Sequence, residues 1–159
     1  MLKLYKLIDH QLYYWETWEQ SKRAAIIHWG IVGQRGQTKL IKKGIFSGVR
    51  EKIQKEINKK TAAGYAAFAD DKMISLEVEY RVNGFGTDAE LDKRHQLENR
   101  LDELLGWTGL GHVNGGSIGS GTMEAGCCVV DFDIAKAVIE NDLKNTEFAD
   151  YSRIFKIGE

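Results

Sequence analysis

Two hydrophobic rhythms divide this chain and constrain its fold more than any other feature. Up to Gly44 apolar and aromatic residues alternate, as strands require. The runs are "LKLYKLI" (2–8), "QLYYWETW" (11–18), "RAAIIHWGIV" (23–32) and "GQTKLIKKG" (36–44). In the second, Tyr13, Trp15 and Thr17 share one face, and Tyr14, Glu16 and Trp18 the other. In the third, Ala25, Ile27, Trp29 and Ile31 share a face and His28 falls opposite. Polar links at Asp9-His10 and Gln20-Ser21-Lys22, and Gly33 and Gly36, predict antiparallel hairpins. After Phe46-Ser47 the step becomes four: Val49, Ile53 and Ile57 outline a helix face, with Ser47 the expected N-cap and Gly64 the stop.

Beyond a short linker at Asp70-Asp71-Lys72 the order changes. "MISLEVEYRV" (73–82) alternates as a strand and "NGFGT" (83–87) turns. Thr87 and Glu90 have capping-box spacing. Leu91, Leu97, Leu101, Leu104 and Leu105 then stripe a long helix expected to end at Gly106. "LGHVNGGSIGSG" (110–121) and "TMEAGCCVVDF" (122–132) read as two strands, Asp133 as the cap of helix 134–143, and "YSRIFKI" (151–157) as the last strand. The order β-α-β-β-α-β is the split-βαβ, ferredoxin-like pattern. The expected class is therefore α+β with two small domains. Residues 1–69 form an antiparallel sheet crossed by one helix. Residues 73–159 form an antiparallel sheet with both helices on one face.

Charge follows the same division. Residues 1–69 carry 13 Lys and Arg against 5 Asp and Glu, and residues 70–159 carry 9 against 18. The halves net +8 and −9, which suits a polyanion on one and a basic partner on the other. At 43% hydrophobic and 28% charged the composition is that of a soluble globular protein. No apolar run approaches the roughly 20 residues of a membrane span, and Lys3, Lys6, Asp9 and His10 break the first residues as no signal peptide would allow. A cytoplasmic protein without a membrane partner is expected.

Motifs for catalysis are missing. The adjacent Cys127 and Cys128 point to opposite faces of a strand, which disfavours a disulfide. His10, His28, His95 and His112 lack metal-site spacing, so no metal or other cofactor is expected. "GGSIGSG" resembles a phosphate loop in composition, yet leads into a strand rather than a helix, and no lysine follows until Lys136. No nucleophile, base and oxyanion set assembles, and the chain reads as non-enzymatic.

One segment is more specific. "HWGIVGQRGQTKLI", followed by "NKKTAAGYAAF", resembles the WGR domain, known from poly(ADP-ribose) polymerases and from many bacterial proteins. The resemblance covers residues 1 to about 68, including "YYWETW" and the Lys60 to Tyr65 "K-x-x-x-GY". It implies an antiparallel sheet with a helix across it, and a tryptophan region that grips a DNA end. Trp29 carries over by position. The arginine that follows Trp-Gly in the family does not, because Ile31 stands there. The second half vaguely resembles small ferredoxin-like domains, some of them in toxin-immunity proteins.

The first functional expectation is binding of DNA or RNA through the basic half, with Trp29 on a sugar or base and Arg35, Lys39, Lys42, Lys43, Lys55 and Lys59 on phosphates. The alternative is a protein-interaction or toxin-immunity-type module whose acidic half binds a basic protein. An enzyme or small-ligand regulator built on the glycine-rich segment ranks last.

Overall fold

A computed structural model describes residues 1–44 and 47–158. They form two antiparallel four-stranded sheets and three α-helices, a mixed α and β chain. The chain divides into two compact units, Met1–Ala69 and Asp70–Glu159.

The first unit is a meander, β1 (Leu2–Ile8), β2 (Gln11–Ser21), β3 (Ala24–Ile31) and β4 (Gln37–Lys42), paired in sequence order. Asp9 and His10 both take positive φ, 48° and 66°, as a two-residue hairpin turn demands. Helix α1 (Val49–Ala62) packs on one face. That face holds buried Leu4, Trp15 and Ile27, with Leu2, Trp29, Ile41, Ile53, Ile57 and Tyr65 against them. Ladder partners Leu4, Trp15 and Trp29 form one row across three strands. Removing a buried aromatic of this kind costs about 3–5 kcal/mol.

Ser47 does not cap α1. Its carbonyl accepts the Gly44 N–H at 3.0 Å, closing a turn, and Gly48 becomes the cap without a side-chain bond. Phe46, at the expected entry to the helix, lies outside the described residues. Past the helix end at Ala62, Gly64 adopts φ 88°, a conformation open to glycine.

In the second unit the linker is one turn of 3₁₀ helix, Asp70–Lys72. Then come β5 (Ile74–Arg81), α2 (Asp88–Trp107), β6 (Gly111–Gly119), β7 (Thr122–Val129), α3 (Phe132–Leu143) and β8 (Arg153–Lys156). The sheet runs β6-β7-β5-β8 with every neighbouring pair antiparallel. The Thr87–Glu90 capping box forms in both directions, at 2.7 and 3.2 Å. Leu97, Leu101, Leu104 and Leu105 are buried, and the helix runs one residue past Gly106. The cap of α3 is Asp131, which accepts the Ile134 N–H at 2.9 Å, rather than Asp133, which falls in the first turn. β7 ends at Val129 and Asp131 is still extended, so the helix starts two residues earlier than periodicity alone suggests. Among the described residues no helix is long and apolar enough to cross a membrane.

Candidate nucleic-acid interface

The turn between β3 and β4 explains its own glycines. Gly33 turns the chain with φ 91°, and Gln34 N–H donates to Ile31 O at 3.0 Å. Gly30 and Gly36 serve another purpose. Gly30 is the ladder partner of Tyr14, and a Cβ there would stand 3.1 Å from the Tyr14 hydroxyl. A Cβ on Gly36 would run into the Trp29 carbonyl and that same hydroxyl. Both glycines leave room for one buried tyrosine.

Trp29 itself is half-buried. It lies on the α1 side of the sheet, against the cluster around Trp15. The opposite face carries a polar chain. Lys3 Nζ lies 3.0 Å from Glu16 Oε2, and Glu16 Oε1 lies 2.7 Å from His28 Nδ1. His28 Nε2 is 3.1 Å from the Tyr14 hydroxyl. Glu16, His28 and Tyr14 are all buried. Burial raises the Tyr14 pKa to about 12, with Glu16 adding to the rise and a Gly36 backbone hydrogen bond opposing it. His28 is thus a satisfied core histidine.

The cations named from sequence do not form one patch. Arg35 is exposed in the turn before β4, whereas Lys42 and Lys43 sit at that strand's far end, about 20 Å along an extended chain. Lys39 pairs with Ile27, so its side chain projects to the α1 face, and Lys42, three positions on, projects to the other. Lys55 and Lys59 are engaged by Glu51 and Glu56 of their own helix, at 3.0 and 2.9 Å.

A different group gathers near the end of α1. Lys6 and Lys60 Nζ stand 6.0 and 4.8 Å from the centroid of the Tyr65 ring. Lys6 also donates to Ala63 O at 2.6 Å. Burial raises the Tyr65 pKa, and proximity to Tyr13 raises it further. Tyr13 neighbours Lys6 and Ile31 in the ladders, one row from Trp29. Sequence reading missed Lys6, Tyr13, Lys60 and Tyr65 as a set. The signal for it in the sequence was the Lys60 to Tyr65 "K-x-x-x-GY" run, which holds two of the four residues.

Four of the five carboxylates in residues 1–69 are held by cations, Glu16 by Lys3, Glu19 by Arg50, Glu51 by Lys55 and Glu56 by Lys59. Among the described residues the nine other cations of this unit, Lys6, Lys22, Arg23, Arg35, Lys39, Lys42, Lys43, Lys52 and Lys60, show no carboxylate ion pair.

The glycine-rich segment is a hairpin rather than a cradle. A Cβ on Gly111 would strike the Cys128 carbonyl. One on Gly116 would strike the Glu124 carbonyl and the Glu98 side chain, and one on Gly126 would come within 2.8 Å of Asn114 Oδ1. Neighbouring chain and side chains use that space. The described residues contain no cluster of three or more His, Cys, Asp or Glu able to hold a metal. No family model, no curated protein and no solved structure matches the chain.

Proposed function

We propose that residues 1–69 are a non-enzymatic nucleic-acid-binding domain of WGR-like type. The observation that carries this reading is the surplus of cations left over once four of the domain's five carboxylates are paired. Phosphate neutralisation with counterion release uses such a surplus. Tyr65 with Lys6 and Lys60 over its ring, Tyr13 beside Lys6 in the ladder, and the half-buried Trp29 add rings on which a sugar or base packs. Lys55 and Lys59 contribute less, since each already answers a glutamate. Ile31 leaves the position of the family arginine apolar, and Arg35 supplies the nearby charge.

The test is a titration of the full chain with duplex DNA, with and without 5′-phosphorylated ends, at several salt concentrations. Neutralising five to six phosphates gives a slope of about −5 in log K against log salt. Absence of salt-sensitive binding would sink the proposal.

A second reading rests on the second unit, taken as a ferredoxin-like plait in keeping with its strand order. Glu79 and Glu124 are direct ladder partners, and like charges so placed oppose each other. Arg153 takes Glu79 at 2.7 Å and the Ser117 hydroxyl takes Glu124 at 2.5 Å. Burial raises the pKa of nearby Glu77, and Glu124 and Glu79 raise it further. A basic protein segment laid on this face relieves that crowding. Retention of a cationic protein that is lost on Glu77→Gln/Glu124→Gln supports this reading, and retention unaffected by those changes removes it.

A further inference from the structure

The turn that carries Arg35 is held from beneath by one side chain. The Tyr14 hydroxyl donates to the Gln34 carbonyl over 3.2 Å and is hydrogen-bonded to the Gly36 backbone. Those two residues flank Arg35 on either side. A third partner, His28 Nε2, lies 3.1 Å from the same oxygen and is itself fixed through Nδ1 by Glu16. The tyrosine ring reaches this point only because Gly30 and Gly36 carry no Cβ. Tyr14 is buried, on the face away from α1, and Arg35 is exposed, so the tyrosine is placed to order the turn without touching a ligand.

We infer that Tyr14 is a positioning residue for Arg35: its hydroxyl clasps both flanks of the turn, so that the guanidinium meets a phosphate oxygen from an already ordered backbone. This rests on the nucleic-acid reading above. The physical reason is preorganisation. A loose turn is binding-competent only part of the time, and apparent affinity falls by that fraction. The charge is unchanged, so the loss comes from order and not from electrostatics.

The test uses the full chain with a 5′-phosphorylated DNA oligonucleotide as probe, in four forms: wild type, Tyr14→Phe, Arg35→Ala and the double variant. Arg35→Ala is expected to weaken binding about tenfold and to reduce the magnitude of the salt slope by about one. Tyr14→Phe keeps the ring and is expected to weaken binding about three- to tenfold with the slope retained. The double variant is expected to bind no more weakly than Arg35→Ala alone, since the tyrosine acts through the arginine. Hydrogen exchange at the Gly36 amide should accelerate in Tyr14→Phe. In the wild type it should be slower than at Arg35, a comparison that needs no substitution. Additive losses, an unchanged Gly36 rate in Tyr14→Phe, or equal wild-type rates at Gly36 and Arg35 each overturn the positioning role. A wild-type chain that binds no oligonucleotide overturns the nucleic-acid reading and the role of Arg35 with it, while the exchange rates separately decide whether Tyr14 holds the turn.

Discussion

Glu16 Oε1 and His28 Nδ1 meet 2.7 Å apart on directly paired positions of β2 and β3, buried beneath the face that α1 leaves free. Lys3 engages the second oxygen of the same carboxylate at 3.0 Å. The carboxylate is therefore the hub of a polar chain reaching the Tyr14 hydroxyl.

Removal of that hub should be severe. Glu16→Ala leaves Lys3 and His28 without their shared acceptor, and breaking a buried pair costs about 3–5 kcal/mol. Glu16→Gln keeps one acceptor oxygen and should lose less. Urea denaturation reads both as shifts of midpoint at constant slope. A Glu16→Ala midpoint equal to that of the wild type would show that the chain contributes nothing to stability.

Two glycine substitutions should have opposite signs. Gly36→Ala drives a methyl into the Trp29 carbonyl and should destabilise by about 1–3 kcal/mol. Gly106 lies inside α2 without a positive φ, and a methyl added there would meet nothing within 4 Å. Alanine there should stabilise by about 0.5–1 kcal/mol. Thermal melting of the two variants compares them directly: an unchanged melting point in Gly36→Ala would contradict the packing described around Tyr14, and a loss in Gly106→Ala would contradict the open space at that helix position.

The two cysteines should separate in reactivity. Burial pushes the Cys127 thiol up to about 12, with Cys128 and the carboxylates of Asp102 and Glu98 adding to the rise. Cys128 is partly accessible and accepts a hydrogen bond from Asn114 Nδ2 at 3.1 Å. A thiol reagent at neutral pH should modify Cys128 first, and Cys127 only on unfolding. Mass spectrometry with Cys128→Ser decides it. Rapid modification of Cys127 in that folded variant would be the contrary result.

Acid should relieve the carboxylate face. The folded pKa of Glu77 is raised, by burial first and then by Glu124 and Glu79, with Arg153 opposing. A raised folded pKa means that the favourable contribution is fully present below the unfolded value and is lost as pH rises through the folded one. Glu77→Gln should therefore be more stable than wild type at pH 7, with the advantage fading below about pH 4. Melting curves across that range check the sign, and an advantage that persists unchanged at acid pH would refute it.

Much of the fold was legible, because strand alternation and helix periodicity are local properties. The capping box at Thr87 and Glu90 needs only four consecutive residues, and it forms as read. Caps that depend on the preceding chain were misplaced. Ser47 is diverted into a turn with Gly44, and Asp131 starts α3 ahead of Asp133. The candidate site was legible as a surplus of positive charge but not as a place. Arg35 and Lys43 are eight residues apart in sequence, and the strand between them separates them in space.

The amino-acid order by itself determined the run of elements, the Asp9-His10 turn, the face shared by Ile27, Trp29 and Ile31, and the division of charge between the halves. The turn after β2, by contrast, falls at Lys22-Arg23 rather than at Gln20-Ser21-Lys22, because β2 runs on to Ser21. Only the tertiary structure decided that Trp29 packs beside Trp15 at the edge of the α1-covered core. It also decided that Gly30 and Gly36 make room for Tyr14, and that Lys6 and Lys60 converge on Tyr65. The reason is that ladder register and helix packing join residues far apart in the chain, and side chains so joined share no local pattern.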